Sequence, residues 1–348
     1  MRPFVALLLL LSLPACDYCW SGGGDPVPCS ANDDDAADDD DAADDDDAAD
    51  DDDAANDDDA ADDDDAADDD DSADDDDAAP SACAGADPAA FDQDGGCSHT
   101  TTTGSFTGTG LFCTVNWTLY SPSVDVGAPL VVFAPGFSRG PGNYVSFAEH
   151  WASWGLPVAV AGVCHNSALD SNPDGDADDL VTLLAELGGG DAIWAGHSAG
   201  GLRAVLAAER SADTVAVLGL DLTDGADAAA DAAAGVSAPV GGILGEANFC
   251  NSSGNGAAVY AAAADGLALR VTEGDHCDFE SDTDFLCTAA CSAANPTWPE
   301  GDVQALVRGL STAWLLHSAG MSAQATERWT PGSTAWDALL ATGAASVP

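Results

Sequence analysis

Gly196-His197-Ser198-Ala199-Gly200-Gly201 holds the spacing Gly-x-Ser-x-Gly between an apolar run, Ala192–Ala195, and a helical stretch, Leu202–Arg210. Three fixed positions recur by chance, but a strand, a tight turn and a helix in that order are the setting a nucleophile elbow requires. Glycines at 196 and 200 let the backbone turn sharply, which holds Ser198 in a strained conformation with Oγ presented. A serine hydroxyl is a poor nucleophile at neutral pH and needs a histidine base oriented by a carboxylate. After an elbow of this kind the acid comes next along the chain and the histidine last. His197 lies inside the elbow with its side chain directed away from Oγ, and His317 ends a helix, where a cation suits the dipole. His276 sits in Glu273-Gly274-Asp275-His276-Cys277-Asp278, just past the final β-rich run, and is the expected base. Asp221, ending the run Val215–Leu220, is the first choice of acid. Glu246, after the next strand, is the alternative, and Asp224 is a third candidate that also reads as a turn former.

Acyl transfer from such a serine also needs two N–H donors for the oxyanion. The amide of Ala199 supplies one, and the amide of Phe137, in Pro135-Gly136-Phe137-Ser138, is expected to supply the other. The set implies hydrolysis of a carboxylic ester through an acyl-enzyme, with no metal and no cofactor. Phe137, Phe249 and Phe279 lie close to these residues in sequence and suit acyl or aromatic ester substrates. A non-catalytic binding module and a serine peptidase are the alternative functions, since fold alone fixes no activity and the same triad cleaves amides.

The elements that must position these residues follow a rhythm. After a strand at Thr114–Tyr120, β-rich runs occur at Leu130–Ala134, Pro157–Val163, Ala192–Ala195, Val215–Leu220, Val240–Leu244 and Leu267–Thr272. Helical segments separate them at Tyr144–Trp154, Ala177–Leu187, Leu202–Arg210 and Gly256–Ala264, and a last helix spans Val303–Leu316. Continuous apolar strands alternating with helices predict an α/β domain with a mostly parallel central sheet and helices on both faces. That domain is expected over 83–320, followed by a C-terminal extension, 321–348, to which the sequence assigns no role.

The first 82 residues read differently. Arg2, the apolar run Phe4–Leu13 and Pro14-Ala15-Cys16 form a signal peptide over 1–15, too short for a membrane-spanning helix. Cys16 begins a lipidated N-terminus, 16–32, because Leu13-Pro14-Ala15-Cys16 resembles a bacterial lipobox. The chain is therefore expected at the bacterial cell envelope or surface, held to the membrane by lipid, or else secreted. Residues 33–79 repeat DDDDAA, whose like charges repel and whose alanines bury little, so this stretch predicts a disordered Asp-rich tether. Of 62 acidic residues, 30 are aspartates between Asp33 and Asp77, which leaves 32 acids against seven arginines elsewhere, with no lysine. Such a chain repels nucleic acid. Eleven cysteines in an exported chain point to disulfides, eight of them in the folded part. Cys287-Thr-Ala-Ala-Cys291 reads as disulfide cysteines rather than a metal motif.

Together, Phe133-Ala134-Pro135-Gly136-Phe137, the Gly-His-Ser-Ala-Gly-Gly elbow, Gly219-Leu220-Asp221 and Asp275-His276-Cys277-Asp278-Phe279 resemble the chlorophyllase branch of the α/β-hydrolase fold. That branch is related to platelet-activating-factor acetylhydrolases, dienelactone hydrolases and cutinase-like polyester hydrolases. The resemblance covers roughly 114–316. Chlorophyllase-like and acetylhydrolase-like enzymes imply Asp221 as the acid, whereas cutinase-like polyesterases imply Glu246. Pro135-Gly136-Phe137 departs from the His-Gly-Phe of chlorophyllases and is closer to the polyester hydrolases. The resemblance implies a small-molecule, lipid or polyester ester as substrate.

Overall fold

The computed structural model describes residues 87, 89–167, 169–281, 287, 291 and 297–348, together with an antiparallel pairing of Tyr18–Cys19 with Val27–Pro28. Two units divide the chain, 1–73 and 74–348. Apart from that one pairing, the stretches expected as a signal peptide (1–15), a lipidated N-terminus (16–32) and an Asp-rich tether (33–79) lie outside the described residues.

The second unit is built on one nine-stranded sheet. Its strands are β1 (His99–Thr107), β2 (Thr114–Pro122), β3 (Leu130–Ala134), β4 (Val158–Ala161), β5 (Ala192–His197), β6 (Thr214–Leu220), β7 (Val240–Leu244), β8 (Gly266–Val271) and β9 (Ala345–Ser346). In space they run β9-β8-β7-β6-β5-β3-β4-β2-β1. The six strands from β4 to β8 pair in parallel, while β1, β2 and β9 are antiparallel to their neighbours. The helices are α1 (Val145–Ser153), α2 (Pro173–Glu186), α3 (Ala199–Arg210), α4 (Ala228–Ala233), α5 (Ala257–Ala262), α6 (Glu300–Ser318), α7 (Ala323–Arg328) and α8 (Thr334–Ala341).

Strand alternation sorts the core into two layers. Along β3, Val131 and Phe133 point to one face and Val132 and Ala134 to the other, all fully buried. The first face packs against α1 and against α6 to α8, through Phe147, Trp151, Val307 and Trp314. The second packs against α2 to α5, through Leu180, Leu183, Val205 and Val259. A parallel sheet covered on both faces explains why its strands read as unbroken apolar runs. On α6 the buried Val303, Val307, Leu310 and Trp314 recur at helical spacing, which turns one stripe toward the sheet.

The chain leaves β3 through α1 to reach β4 on one side, then crosses back through α2 to β5 on the other. Reversals of this kind open a crevice beyond the carboxyl ends of the two flanking strands. The loops after β3 and β5, which carry Phe137 and Ser198, meet there.

Residues 321–348, read in the sequence as an extension, fold into the core. Trp329 and Trp336 are buried, Trp329 Nε1 donates to the Leu310 carbonyl at 3.0 Å, and β9 adds an edge strand beside β8. Two elements were not expected from the sequence: β1, a polar edge strand whose pairing with β2 is continuous from His99 to Thr107, and the short helix α4.

Candidate active site

Ser198 stands between β5 and α3 with φ 56° and ψ −126°, a conformation that costs a non-glycine residue about 1–3 kcal/mol. The elbow is tight against the end of β3. A Cβ on Gly196 would lie 2.3 Å from the Gly200 carbonyl oxygen, and one on Gly200 would lie 2.1 Å from that of Ala134. Glycine is required at both places by close backbone approach. The Ser198 amide donates to the Leu220 carbonyl at 3.0 Å and its carbonyl accepts from Gly201 and Thr223, so the strained turn is held from both sides. Only 6 % of Ser198 is exposed, and it faces a cavity of about 240 Å³ also lined by His276, Phe137, Phe249, Cys250 and Cys287.

Asp221 ends β6 and is fully buried. Its Oδ2 stands 2.6 Å from His276 Nδ1, and the same carboxylate accepts from the Gly245 amide at 2.9 Å and from Asn251 Nδ2 at 3.1 Å. A buried carboxylate must be paired in this way to keep its charge. Of the three acids left open by the residues, Asp221 is the one against His276. Glu246 is exposed; its carbonyl accepts from Asn251 Nδ2 at 2.8 Å. Asp224 accepts from the amides of Ala229 and Ala230 and so caps the turn into α4. His317 bonds Thr326 in the last turn of α6.

The loop after β3 is fixed by side chains that the sequence did not single out. Arg203 on α3 pairs with Asp176 at 2.8 Å and donates to the Pro135 carbonyl at 3.1 Å. Asn166 donates to the carbonyls of Gly136 and Arg139 and accepts from the Ser138 amide at 3.0 Å. Tyr144 takes the Gly136 amide at 3.0 Å. Among the described residues, the Phe137 amide has no acceptor within the protein, nor has that of Ala199, the first residue of α3. A helix leaves its first amides without intrahelical partners. The loop also lies close to Ser198, since a Cβ on Gly136 would be 3.3 Å from Ser198 Cβ.

Two disulfides, Cys250–Cys291 and Cys277–Cys287, cross-link the loops around His276, and Cys113–Cys164 ties the β1–β2 turn to the segment after β4. Cys97 is also disulfide-bonded. The Sγ atoms of Cys277, Cys287 and Cys291 gather within 4.8 Å of one another, but all three are consumed in these bonds. Cys287 and Cys291 thus pair outward, to Cys277 and Cys250, rather than with each other.

The arrangement is chemically a buried Asp–His pair beside a strained serine, with two amides free to receive developing negative charge. Compared with protein-family models and with curated proteins, the chain matches none.

Proposed function

We propose that this chain is a serine hydrolase of carboxylic esters with the α/β-hydrolase fold, anchored at the bacterial cell envelope through a lipidated Cys16. The reading is carried by the 2.6 Å contact between His276 Nδ1 and Asp221 Oδ2 on a cavity shared with Ser198. It is supported by the Ser, Asp, His order along the chain, by the elbow between β5 and α3, and by the crevice at the sheet's reversal. The anchor rests on the sequence of residues 13–16 alone.

In this mechanism Ser198 Oγ attacks the ester carbonyl while its proton passes to His276 Nε2. Asp221 holds Nδ1–H and stabilises the imidazolium. The oxyanion is met by the amides of Phe137 and Ala199, which have no competing acceptors among the described residues. Collapse of the tetrahedral intermediate expels the alcohol, which takes the proton from His276. Water then attacks the acyl-enzyme, again giving a proton to His276, and the carboxylic acid departs as Ser198 recovers its own. Phe249, 91 % exposed at the cavity mouth, and Phe137 favour an apolar acyl or aromatic group.

The test is hydrolysis of p-nitrophenyl esters of graded chain length by the full chain. Ser198→Ala should reduce turnover to background and Asp221→Asn should lower kcat about 10⁴-fold, while Glu246→Gln leaves it essentially unchanged. A folded wild-type protein that turns over no ester and does not react with a fluorophosphonate would replace the hydrolase by a binding module.

A further inference from the structure

Behind Ser198 a second buried polar chain runs between two loops of the site. The Gly136 amide donates to Tyr144 Oη at 3.0 Å, Tyr144 Oη lies 2.9 Å from His197 Nδ1, and His197 Nε2 lies 3.1 Å from the His276 carbonyl oxygen. Tyr144 and His197 are each 1 % exposed, so protein groups supply these hydrogen bonds. The His276 carbonyl can only accept, so a neutral His197 ring carries its proton on Nε2. Nδ1 is then an acceptor and takes the tyrosine hydroxyl proton, while Tyr144 Oη accepts from the Gly136 amide. Burial, and next the nearby His276, push the His197 pKa well below the ordinary histidine range, which agrees with a neutral ring. Burial and the neighbouring Glu280 raise that of Tyr144, so its hydroxyl keeps its proton.

The chain begins and ends on backbone atoms next to catalytic groups. Gly136 precedes Phe137, whose amide is the proposed oxyanion donor, and the acceptor carbonyl belongs to the proposed base itself. The His197 and His276 rings are 4.6 Å apart between centroids, and His197 stacks on Phe279 at 8°. A second link runs in parallel, Arg139 Nε to Glu280 Oε1 at 2.7 Å, from the same oxyanion loop to the same base loop. We propose that Tyr144 and His197 are positioning residues that set the oxyanion amide and the base at a fixed separation across Ser198. Tyr144 does not line the cavity, and His197, which does, is almost wholly buried, so both act through the loops they hold. They act because the triad histidine and the Phe137 amide come from loops 139 residues apart in sequence that no strand pairing connects. The proposal rests on the hydrolase reading above.

The test is a double-mutant cycle on the full chain with p-nitrophenyl butyrate, using Tyr144→Phe, His197→Phe and both together. Each single change should lower kcat by roughly 10- to 100-fold, the scale of a small misplacement of reacting groups, with little change in KM. The double variant should be no slower than the slower single one, because either change breaks the same chain. Melting temperatures separate this from plain loss of fold. Full kcat in folded Tyr144→Phe, or single effects that multiply in the double variant, overturns the proposal. Should His197→Phe not fold, Tyr144→Phe, which removes one oxygen, decides alone. A wild-type chain with neither ester turnover nor fluorophosphonate labelling of Ser198 overturns the hydrolase reading and the positioning role with it. Wild-type turnover with an unaffected Tyr144→Phe removes only the latter.

Discussion

Asp278 shares its short 3-10 turn with His276 yet faces opposite demands. Asp221 has donors on both oxygens, whereas burial pushes the Asp278 carboxyl up to about 7, helped by Asp275, Glu300 and Asp221 nearby and opposed by the Asp275 amide. A carboxyl whose folded pKa is raised favours folding while protonated and opposes it once ionised. Its effect is therefore absent below the unfolded value near 4, and stability falls as pH rises from there to about 7. Asp278→Asn keeps an oxygen for the Asp275 amide and removes the titration. Its melting temperature should match wild type at pH 4 and exceed it by about 3–6 °C at pH 8.5. Equal melting temperatures at both pH values would rule out the burial of that charge. At this scale Ser198 and His276 were legible in sequence as candidates, because an elbow and a histidine past the last strand are local patterns. Asn251, Tyr144 and Asn166 were not, since each acts through a contact 8 to 53 residues away with no periodic signal.

Loops rather than strands carry most of the site, and disulfides do for them what the ladder does for the sheet. Cys250 stands next to Asn251, which supports Asp221, and Cys277 next to His276. The Cys250–Cys291 bond closes a separation of 41 residues, and loss of a bond of that kind typically costs about 2–4 kcal/mol. Cys250→Ala with Cys291→Ala should lower both the urea midpoint and kcat, because the acid's support loosens with the loop. Cys113→Ala with Cys164→Ala should lower the urea midpoint and cost less kcat, since Cys164 leads only to Asn166 on the loop after β3 and not to Asp221 or His276. Equal kcat losses from the two pairs would count against a specific role for the first. The parallel strands were legible as apolar runs. β1 was not, because His-Thr-Thr-Thr-Thr-Gly-Ser-Phe-Thr sits on the sheet edge, largely exposed, and carries no apolar alternation.

The molecule as a whole depends on its last 28 residues more than their composition suggests. Trp329 meets Trp314 edge-on at 4.9 Å and Trp336 at 6.4 Å, and all three belong to the core on the α6 face of the sheet. Trp329→Ala should cost about 3–5 kcal/mol, the usual loss for a buried aromatic, read from the urea midpoint. The kcat of the protein that remains folded should not change, because the cluster is remote from the cavity lining Ser198. A midpoint within error of wild type would mean that the tail contributes little to the core.

The sequence by itself determined the parallel α/β layering, the serine elbow, the histidine and a short choice of acids. Each is a local pattern of polarity, spacing or glycine, written within one element or turn. Only the tertiary structure decided that Asp221 stands against His276, which cysteines join, that 321–348 belongs to the core, and that Tyr144 and His197 link the two loops. Those facts are contacts between residues far apart in the chain. Their existence depends on how the sheet orders its strands, which no single segment encodes.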